Sequence, residues 1–215
     1  MPSSTVQRVA CLGWERPRVT PWVWLNSYEL DSTNSTVRTK HYDVVPTPKD
    51  KEDDMSIAVG QRIPEVQVKL VDPNGTEQVS TADVLGKGKV VLVGVPAAFS
   101  PTCSDAHLPG FVSRSQEILS KGIDRIVFTA VNDAYVMAAW ARSQGAYGKV
   151  AFLADGNGEF ARAMGLDLDL TGAGMGVRNK RYAAQIEDGV ITHLAVEDGT
   201  GLKVSSAEAV LSWLD

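Results

Sequence analysis

Cysteine and histidine are scarce in this sequence. Its 215 residues include two cysteines, Cys11 and Cys103, and three histidines, His41, His107 and His193. Two thiols do not make the disulfide framework of a small secreted domain, so they suit a reducing compartment. The histidines lie far apart, and no cluster of residues shows the ligand spacing of a zinc site. We therefore expect neither a metal nor a bound cofactor.

Long apolar runs and an excess of positive charge are also missing. Without a run of about 18 apolar residues, no transmembrane helix is expected. The formal net charge of −5 argues against broad nucleic-acid binding through phosphate neutralisation. The composition is close to that of an average globular protein. We expect a folded protein without nucleic acid or membrane as partner, in the cytoplasm by default.

Residues 1–54 differ in composition from the rest of the chain. They hold one of the 19 glycines, five of the 10 prolines and three of the five tryptophans. Neither the helical nor the strand period of apolar residues persists through them. We expect a disordered N-terminal extension, followed by one domain over residues 55–215. Two alternatives stay open: a targeting segment, because arginines precede most of its acidic residues, and an arm that packs on the domain through its tryptophans.

Strand and helix patterns alternate regularly after residue 60. Buried strands are expected over 89–95 and 125–131, and an α-helix with an apolar stripe of Tyr135, Val136, Ala139 and Trp140 over 134–144. Asp188-Gly189 predicts the turn of a hairpin near the end of the chain. The remaining expected elements are strands at 65–71 and 150–153 and helices at 103–120, 158–164 and 205–214. This order indicates an α/β fold with a mixed central sheet flanked by helices.

The segment around Cys103 carries the strongest chemical signal. It follows a buried strand and begins a helix, which is where open α/β sheets place their functional sites. Backbone N–H groups and the helix dipole favour an anion in a first helical turn, so the thiol of Cys103 is expected to tend toward the nucleophilic thiolate. Pro96 and Pro101 stiffen the loop, and Ser100 and Thr102 add hydroxyl groups beside the thiol.

Several motifs in this domain resemble those of one enzyme family. Pro96, Ser100 and Cys103 match the pattern Pro-x-x-x-Thr/Ser-x-x-Cys of the peroxidatic loop of peroxiredoxins, and residues 103–111 resemble the type II, or peroxiredoxin-5-like, branch. The resemblance covers about residues 55–215. Its further motifs lie at 131–137, 149–155, 178–182 and 199–202.

The resemblance implies a thioredoxin-like fold and a thiol-dependent peroxidase acting on hydrogen peroxide and organic hydroperoxides. Cys103 takes the position of the peroxidatic cysteine, and Arg181 that of the arginine beside its thiolate. Ser100 takes the position of the hydroxyl that contacts the peroxide, where threonine is more common. Pro96 takes the position of the proline that shields the site, and the N–H groups of Thr102 and Cys103 are expected to face the peroxide oxygens.

Two further residues near Cys103 invite interpretation. His107 lies one helical turn after Cys103 and is open to two interpretations: the base of a Cys–His pair, or a packing and hydrogen-bonding side chain at the margin of the site. The resemblance favours the second. Pro109 is expected to kink the helix that contains it.

The step that restores the thiol is expected to need an external partner. Members of this branch often carry a second cysteine at one of two positions, which here hold Phe128 and Val204. Cys11 is the only other thiol and lies in the N-terminal extension. We therefore expect a one-cysteine cycle in which glutathione, with or without glutaredoxin, or thioredoxin reduces Cys103. The resemblance also implies a homodimer with contacts near the active-site loops.

Three other functions compete with a peroxidase. A thiol–disulfide oxidoreductase on the same fold would use Cys-x-x-Cys, but the first position is Ser100. A cysteine hydrolase using Cys103 and His107 would need a third, orienting residue that the sequence does not suggest. An interaction module with an inert cysteine would have no reason to keep Pro96 and Arg181 together with the loop motif.

Overall fold

A mixed seven-stranded sheet runs through the centre of the domain. The computed structural model of the protein describes residues 56–199 and 201–214. The expected disordered extension at 1–54 lies outside these residues, and so do Cys11 and the tryptophans of the N-terminal segment. Within the described residues, no helix is long and apolar enough to cross a membrane.

The strands are β1 Gln67–Asp72, β2 Gly75–Ser80, β3 Lys89–Gly94, β4 Arg125–Ala130, β5 Ala151–Ala154, β6 Asp167–Asp169, β7 Val177–Asn179, β8 Tyr182–Glu187 and β9 Val190–Val196. In the seven-stranded sheet they pair in the order β2-β1-β5-β4-β3-β8-β9. β4 runs parallel to both β3 and β5, whereas β1 and β8 pair antiparallel with their neighbours. β6 and β7 form a separate antiparallel pair.

Helices cover both faces of the seven-stranded sheet. They are α1 Thr81–Leu85, α2 Leu108–Ser120, α3 Ala134–Ser143, α4 Glu159–Ala163 and α5 Ala207–Trp213, with a π-helical turn at Cys103–His107 and a 3₁₀ turn at Thr171–Ala173. One face of the sheet packs against α2, α3 and α5 through side chains such as Phe111, Trp140 and Val210. The opposite face packs against α1 and α4 through Leu85 and Phe160.

The expected α/β fold with a mixed sheet flanked by helices is confirmed. The expected hairpin is present as β8 and β9, and Asp188 and Gly189 at its turn have φ angles of 47° and 80°. Both angles lie in the left-handed region that a type I′ turn requires. Ser206 caps α5 by accepting a hydrogen bond from the backbone N–H of Ala209.

The predicted apolar stripe of α3 was wrong at two of its four residues, Tyr135 and Ala139, whereas Trp140 is buried and Val136 packs against the core. Tyr135 is 85% exposed, and Ala139 is exposed as well. The buried residues of this helix are Met137, Trp140 and Ala141. Residues 134–141 are all apolar, so no polar face marks the side of the helix that is turned to solvent. The period alone could not fix the rotation of the helix about its axis.

Several short elements were not anticipated from the sequence, among them α1, β6 and β7. The helix α1 follows Ser80, whose hydroxyl accepts from Ala82 N while Asp83 accepts from Ser80 N, and this reciprocal capping stabilises a helix of only five residues. β6 and β7 have three residues each. Runs of this length are too short for a hydrophobic period to be recognised.

Gly94 is required where β3 pairs with β8. It lies opposite Tyr182, and a Cβ atom added at Gly94 would overlap the Tyr182 ring. We expect Gly94→Ala to lower the free energy of unfolding by about 1–3 kcal/mol, measured by chemical denaturation. Gly172→Ala is the matched control, because a Cβ atom added there would meet nothing within 4 Å. Equal stability of the two variants would contradict this view of the β3–β8 contact.

Candidate active site

The loop after β3 is held to the neighbouring strand β4 and the residues that follow it. Val95 N donates a hydrogen bond to Thr129 O at 3.0 Å. Three residues later, Ala98 N donates to Asn132 Oδ1, also at 3.0 Å. These two bonds fix the loop at the carboxyl end of the central strands, where parallel strands of α/β sheets present their functional side chains.

The loop residues between Pro96 and Cys103 have a defined conformation. The hydroxyl of Ser100 donates to Ala97 O at 3.0 Å, and Pro96 is half-buried. Phe99 has a φ of 61°, in the left-handed region that is uncommon for a residue other than glycine. Its side chain is 53% exposed. Residues with such uncommon backbone conformations are frequent at functional sites.

Cys103 lies at the start of a helix and is fully buried. Ser104 N donates to Ser100 O at 3.0 Å, so the N–H groups of Thr102 and Cys103 precede this first helical hydrogen bond. The π turn Cys103–His107 then leads into α2, and Leu108 N donates to Cys103 O across five residues. This wider turn ends two residues before Pro109, whose ring has no N–H to donate and would crowd a regular preceding turn.

Arg181 contacts the sulfur of Cys103. It directly precedes β8, and its Nη1 lies 3.4 Å from Cys103 Sγ, although the two residues are 78 positions apart. Both side chains are buried. The Nε of Arg181 has no hydrogen-bond partner among the described residues. The guanidinium therefore provides a positive charge beside the sulfur and a further donor within the same site.

His107 uses both of its ring nitrogens. Its Nε2 lies 2.8 Å from Ser205 O, and its Nδ1 lies 3.1 Å from Nη1 of Arg181. A carbonyl only accepts and a guanidinium only donates, so Nε2 carries the proton and Nδ1 does not. The ring packs against Phe111 and Phe128.

The imidazole of His107 is held in its neutral form. Desolvation by burial lowers its pKa from 6.5 to about 4, with a further lowering by the charge of Arg181; the Ser205 hydrogen bond and Glu197 act in the opposite direction. His107 thus contacts the arginine of the site through its unprotonated nitrogen. This geometry favours a hydrogen-bonding role over a Cys–His nucleophilic pair.

Known proteins share both the sequence and the fold of this domain. A protein-family model described as Redoxin matches residues 58–211. Peroxiredoxin-2B of Arabidopsis thaliana is 43% identical over 159 residues, which cover 74% of this chain and 98% of that protein. Peroxiredoxin-2E, chloroplastic, of the same plant is 39% identical over 216 residues, which cover 99% of this chain and 89% of that protein.

A solved structure agrees with these matches. The reduced Prx3 of Vibrio vulnificus in complex with H2O2 superposes with a TM-score of 0.70 at 41% identity, covering 74% of this chain and 99% of that one. The chain belongs to the peroxiredoxin family. The resemblance inferred from the sequence is therefore confirmed. The protein is a thiol peroxidase with a thioredoxin-like fold, which takes a peroxide substrate and a thiol reductant.

The four site residues expected for this peroxiredoxin lie around one loop or reach it. Pro96, Ser100 and Cys103 belong to the loop and the helix start that follows, and Arg181 contacts Cys103. The structure adds Asn132, which anchors the loop, and Ser205, which accepts from His107. Asn132 lies in one of the motifs that carry the family resemblance, but the sequence did not indicate that it accepts a hydrogen bond from Ala98 N. Ser205 gave no signal beyond its expected place near a helix start.

Phe128 and Val204 occupy the two positions at which a second cysteine was considered. Their side chains differ in exposure. Phe128 is fully buried in contact with Phe111, Trp140 and Phe152. Val204 is 45% exposed. Among the described residues, Cys103 is the one free cysteine.

Acidification is expected to destabilise this peroxiredoxin through His107. The unfolded chain binds a proton there below pH 6.5, whereas the folded protein does so only near pH 4. Stability therefore falls as the pH decreases between these values, and this contribution stops changing below the lower one. At about 1.4 kcal/mol per pKa unit the loss is on the order of 3 kcal/mol.

Urea denaturation at both ends of this pH window measures the loss. The His107→Phe variant lacks the titrating group. Between the two pH values its free energy of unfolding should therefore decrease by on the order of 3 kcal/mol less than that of the parent protein. An identical pH dependence in the variant and the parent protein would show that His107 is not the group responsible.

Proposed function

We propose that Cys103 is the peroxidatic residue and that the enzyme follows a one-cysteine cycle recycled by an external thiol. The contact between Arg181 Nη1 and Cys103 Sγ at 3.4 Å supports this assignment most strongly. A permanently charged guanidinium next to a buried sulfur favours the thiolate, which is the nucleophilic form of cysteine. The first helical turn adds backbone donors at the same place.

In the first half of the cycle the thiolate attacks one oxygen of the hydroperoxide. An S–O bond forms, the O–O bond breaks, and the leaving oxygen takes up a proton to give water or an alcohol. Cys103 is oxidised to the sulfenic acid by two electrons. Negative charge moves from sulfur to the leaving oxygen, so donors aligned with that path stabilise the transition state more than the ground state.

The surrounding residues take roles that fit their contacts. Arg181 Nε has no hydrogen-bond partner among the described residues, and we assign it as a donor to the peroxide. Ser100 directs its hydroxyl hydrogen to Ala97 O, so its oxygen lone pairs serve as the acceptor for the peroxide O–H. The N–H groups of Thr102 and Cys103 donate to the peroxide oxygens, and Pro96 limits access of water to the sulfur.

In the second half of the cycle two thiol molecules restore Cys103. The first attacks the sulfenic sulfur, releases water and leaves a mixed disulfide; the second displaces Cys103 and forms the reductant disulfide. Glutathione, with or without glutaredoxin, is the proposed donor, and thioredoxin is the alternative. Support comes from the non-thiol side chains at Phe128 and Val204. A disulfide between Cys11 and Cys103 is the competing route.

We further propose a homodimer with contacts near the active-site loops. The support is Phe99, whose exposed ring is carried by the loop that precedes Cys103. Large aromatic side chains such as Phe are enriched at protein–protein interfaces. Sedimentation of the reduced protein at two concentrations tests the assembly, and a monomer at both would refute it.

The cytoplasm stays the proposed location of the enzyme. A competing view comes from the relative named chloroplastic, whose match covers 99% of this chain and therefore includes most of residues 1–54. A reporter carrying residues 1–54 at its N-terminus separates the two possibilities. Import of that reporter into an organelle would replace the cytoplasmic assignment.

Intact mass after stoichiometric oxidation tests the proposed cycle. The reduced protein is treated with one equivalent of hydrogen peroxide and then with glutathione. We expect a glutathione adduct, because the sulfenic acid on Cys103 has no internal thiol partner in the proposal. Cys103→Ser should give no adduct, whereas Cys11→Ser should give the same adduct as the parent protein.

Each other outcome of this experiment rejects a defined part of the proposal. A disulfide that forms before glutathione is added, and that disappears in Cys11→Ser, would make Cys11 the resolving residue. A parent protein that consumes no peroxide would reject Cys103 as the peroxidatic residue. If thioredoxin removes the adduct and glutathione does not, thioredoxin replaces glutathione as the proposed reductant.

Ser100→Thr is expected to keep or raise the rate of peroxide reduction. Threonine retains the hydroxyl and restricts its rotation through the added methyl group. Ser100→Ala is the matched variant that removes the hydroxyl, and we expect it to lower the rate by at least about tenfold, the loss of one interaction of about 1.4 kcal/mol. Stopped-flow measurement of peroxide consumption compares the variants. A tenfold fall in Ser100→Thr would contradict the assigned role.

A further inference from the structure

His107 belongs to a closed circuit of hydrogen bonds that begins and ends on Arg181. The guanidinium Nη1 contacts His107 Nδ1, and His107 Nε2–H donates to Ser205 O. Ser205 donates to Glu197 Oε1 from its backbone N at 2.9 Å and from its hydroxyl at 2.8 Å. Glu197 N donates to Arg181 O at 2.9 Å. The side chain of Arg181 is thereby tied to its own backbone through three other residues.

The nitrogen of Arg181 that contacts the sulfur is the same one that contacts His107. Nη1 lies 3.4 Å from Cys103 Sγ and 3.1 Å from His107 Nδ1. A guanidinium is planar, so the two N–H bonds on one nitrogen have a fixed angle between them. When one of them is held by His107, the direction of the other toward the sulfur is set. A neutral imidazole does this without adding a second positive charge.

The remaining contacts make His107 suited to this role. Its ring is fixed laterally by Phe111 and Phe128, and its far nitrogen is fixed by Ser205. Glu197 Oε1 also accepts from Lys203 N at 2.7 Å, which clamps the backbone that presents the Ser205 carbonyl. A ring held on three sides has little freedom to follow a displaced guanidinium.

We propose that His107 is a positioning residue for peroxide reduction: it orients Arg181 toward Cys103, and it does so through the circuit that Glu197 and Ser205 close. The inference rests on the proposed role of Cys103 as the peroxidatic residue. His107 itself touches neither peroxide nor sulfur in this proposal. It acts through the donor geometry of Arg181.

The His107→Phe variant removes both hydrogen bonds while keeping an aromatic ring between Phe111 and Phe128. We expect the second-order rate constant for hydrogen peroxide, measured by stopped flow, to fall by at least about tenfold. His193→Phe is the matched control, because His193 stacks on Trp213 and takes no part in the circuit. It should react within about twofold of the parent protein.

Two amide variants separate the halves of the imidazole. The side-chain oxygen of asparagine falls near the place of Nδ1 and can still accept from Arg181; the amide nitrogen of glutamine falls near Nε2 and can still donate to Ser205. Since the contact with Arg181 is the one that orients it, His107→Asn should retain more activity than His107→Gln. The reverse order would overturn the proposed role.

A double-mutant cycle with Arg181 shows whether His107 acts through it. Lysine at position 181 keeps the charge and loses the planar donor geometry. In an Arg181→Lys background, His107→Phe should change the rate by less than about twofold. An equal fold-change in both backgrounds would mean that His107 affects the reaction by another route, and the inference would fail.

The remaining outcomes also decide the question. If His107→Phe does not fold by circular dichroism, Glu197→Ala removes the acceptor of Lys203 N, Ser205 N and the Ser205 hydroxyl, and an unchanged rate in that variant rejects the circuit. A folded His107→Phe that reacts like the parent protein rejects the positioning role while leaving the peroxidase intact. A parent protein that fails to oxidise at Cys103 rejects the proposed function itself.

Discussion

A buried guanidinium beside a buried sulfur is the constraint on which the rest of this site depends. Arg181 stays charged at any physiological pH, and within the described part of the chain it forms no ion pair with a carboxylate. Burying a cation without an anionic partner costs several kcal/mol, on the order of the stability of a whole domain. The sulfur of Cys103 lies 3.4 Å from Nη1 of this guanidinium. An anion on that sulfur would offset the cost of burying the cation, which is the reason for proposing Cys103 as the peroxidatic residue.

The register of two neighbouring strands explains how residues so distant in sequence meet. β3 and β8 are antiparallel, and Gly94 at the end of β3 lies opposite Tyr182 at the beginning of β8. The loop that leaves β3 and the arginine that precedes β8 must therefore lie at the same edge of the sheet. Because the Tyr182 ring occupies the space over Gly94, a shift of this register would misplace Arg181 as well as disturb the core.

The parts of this site that are local in the chain, or that recur in the family, could be predicted from the sequence, whereas the parts that depend on long-range contacts could not. The loop residues Pro96, Ser100 and Cys103 stand within one short motif. The circuit joins His107 to residues 74 and 98 positions away, and no pattern in the chain records such a pairing. The exposure of Tyr135 was missed for another reason, since an all-apolar run leaves the rotation of a helix undetermined.

In the proposed cycle, oxidation of Cys103 changes the charges that meet in this site. A sulfenic acid carries no full negative charge in its protonated form, so Arg181 loses the anion that offset its burial. His107, neutral and already bonded to Ser205, supplies an acceptor but no charge. The closed arrangement around Cys103 is consequently less favourable after the first half of the cycle than before it. In the proposed cycle an external thiol must reach this fully buried sulfur, and the oxidation that precedes its attack weakens the attraction that keeps the sulfur buried.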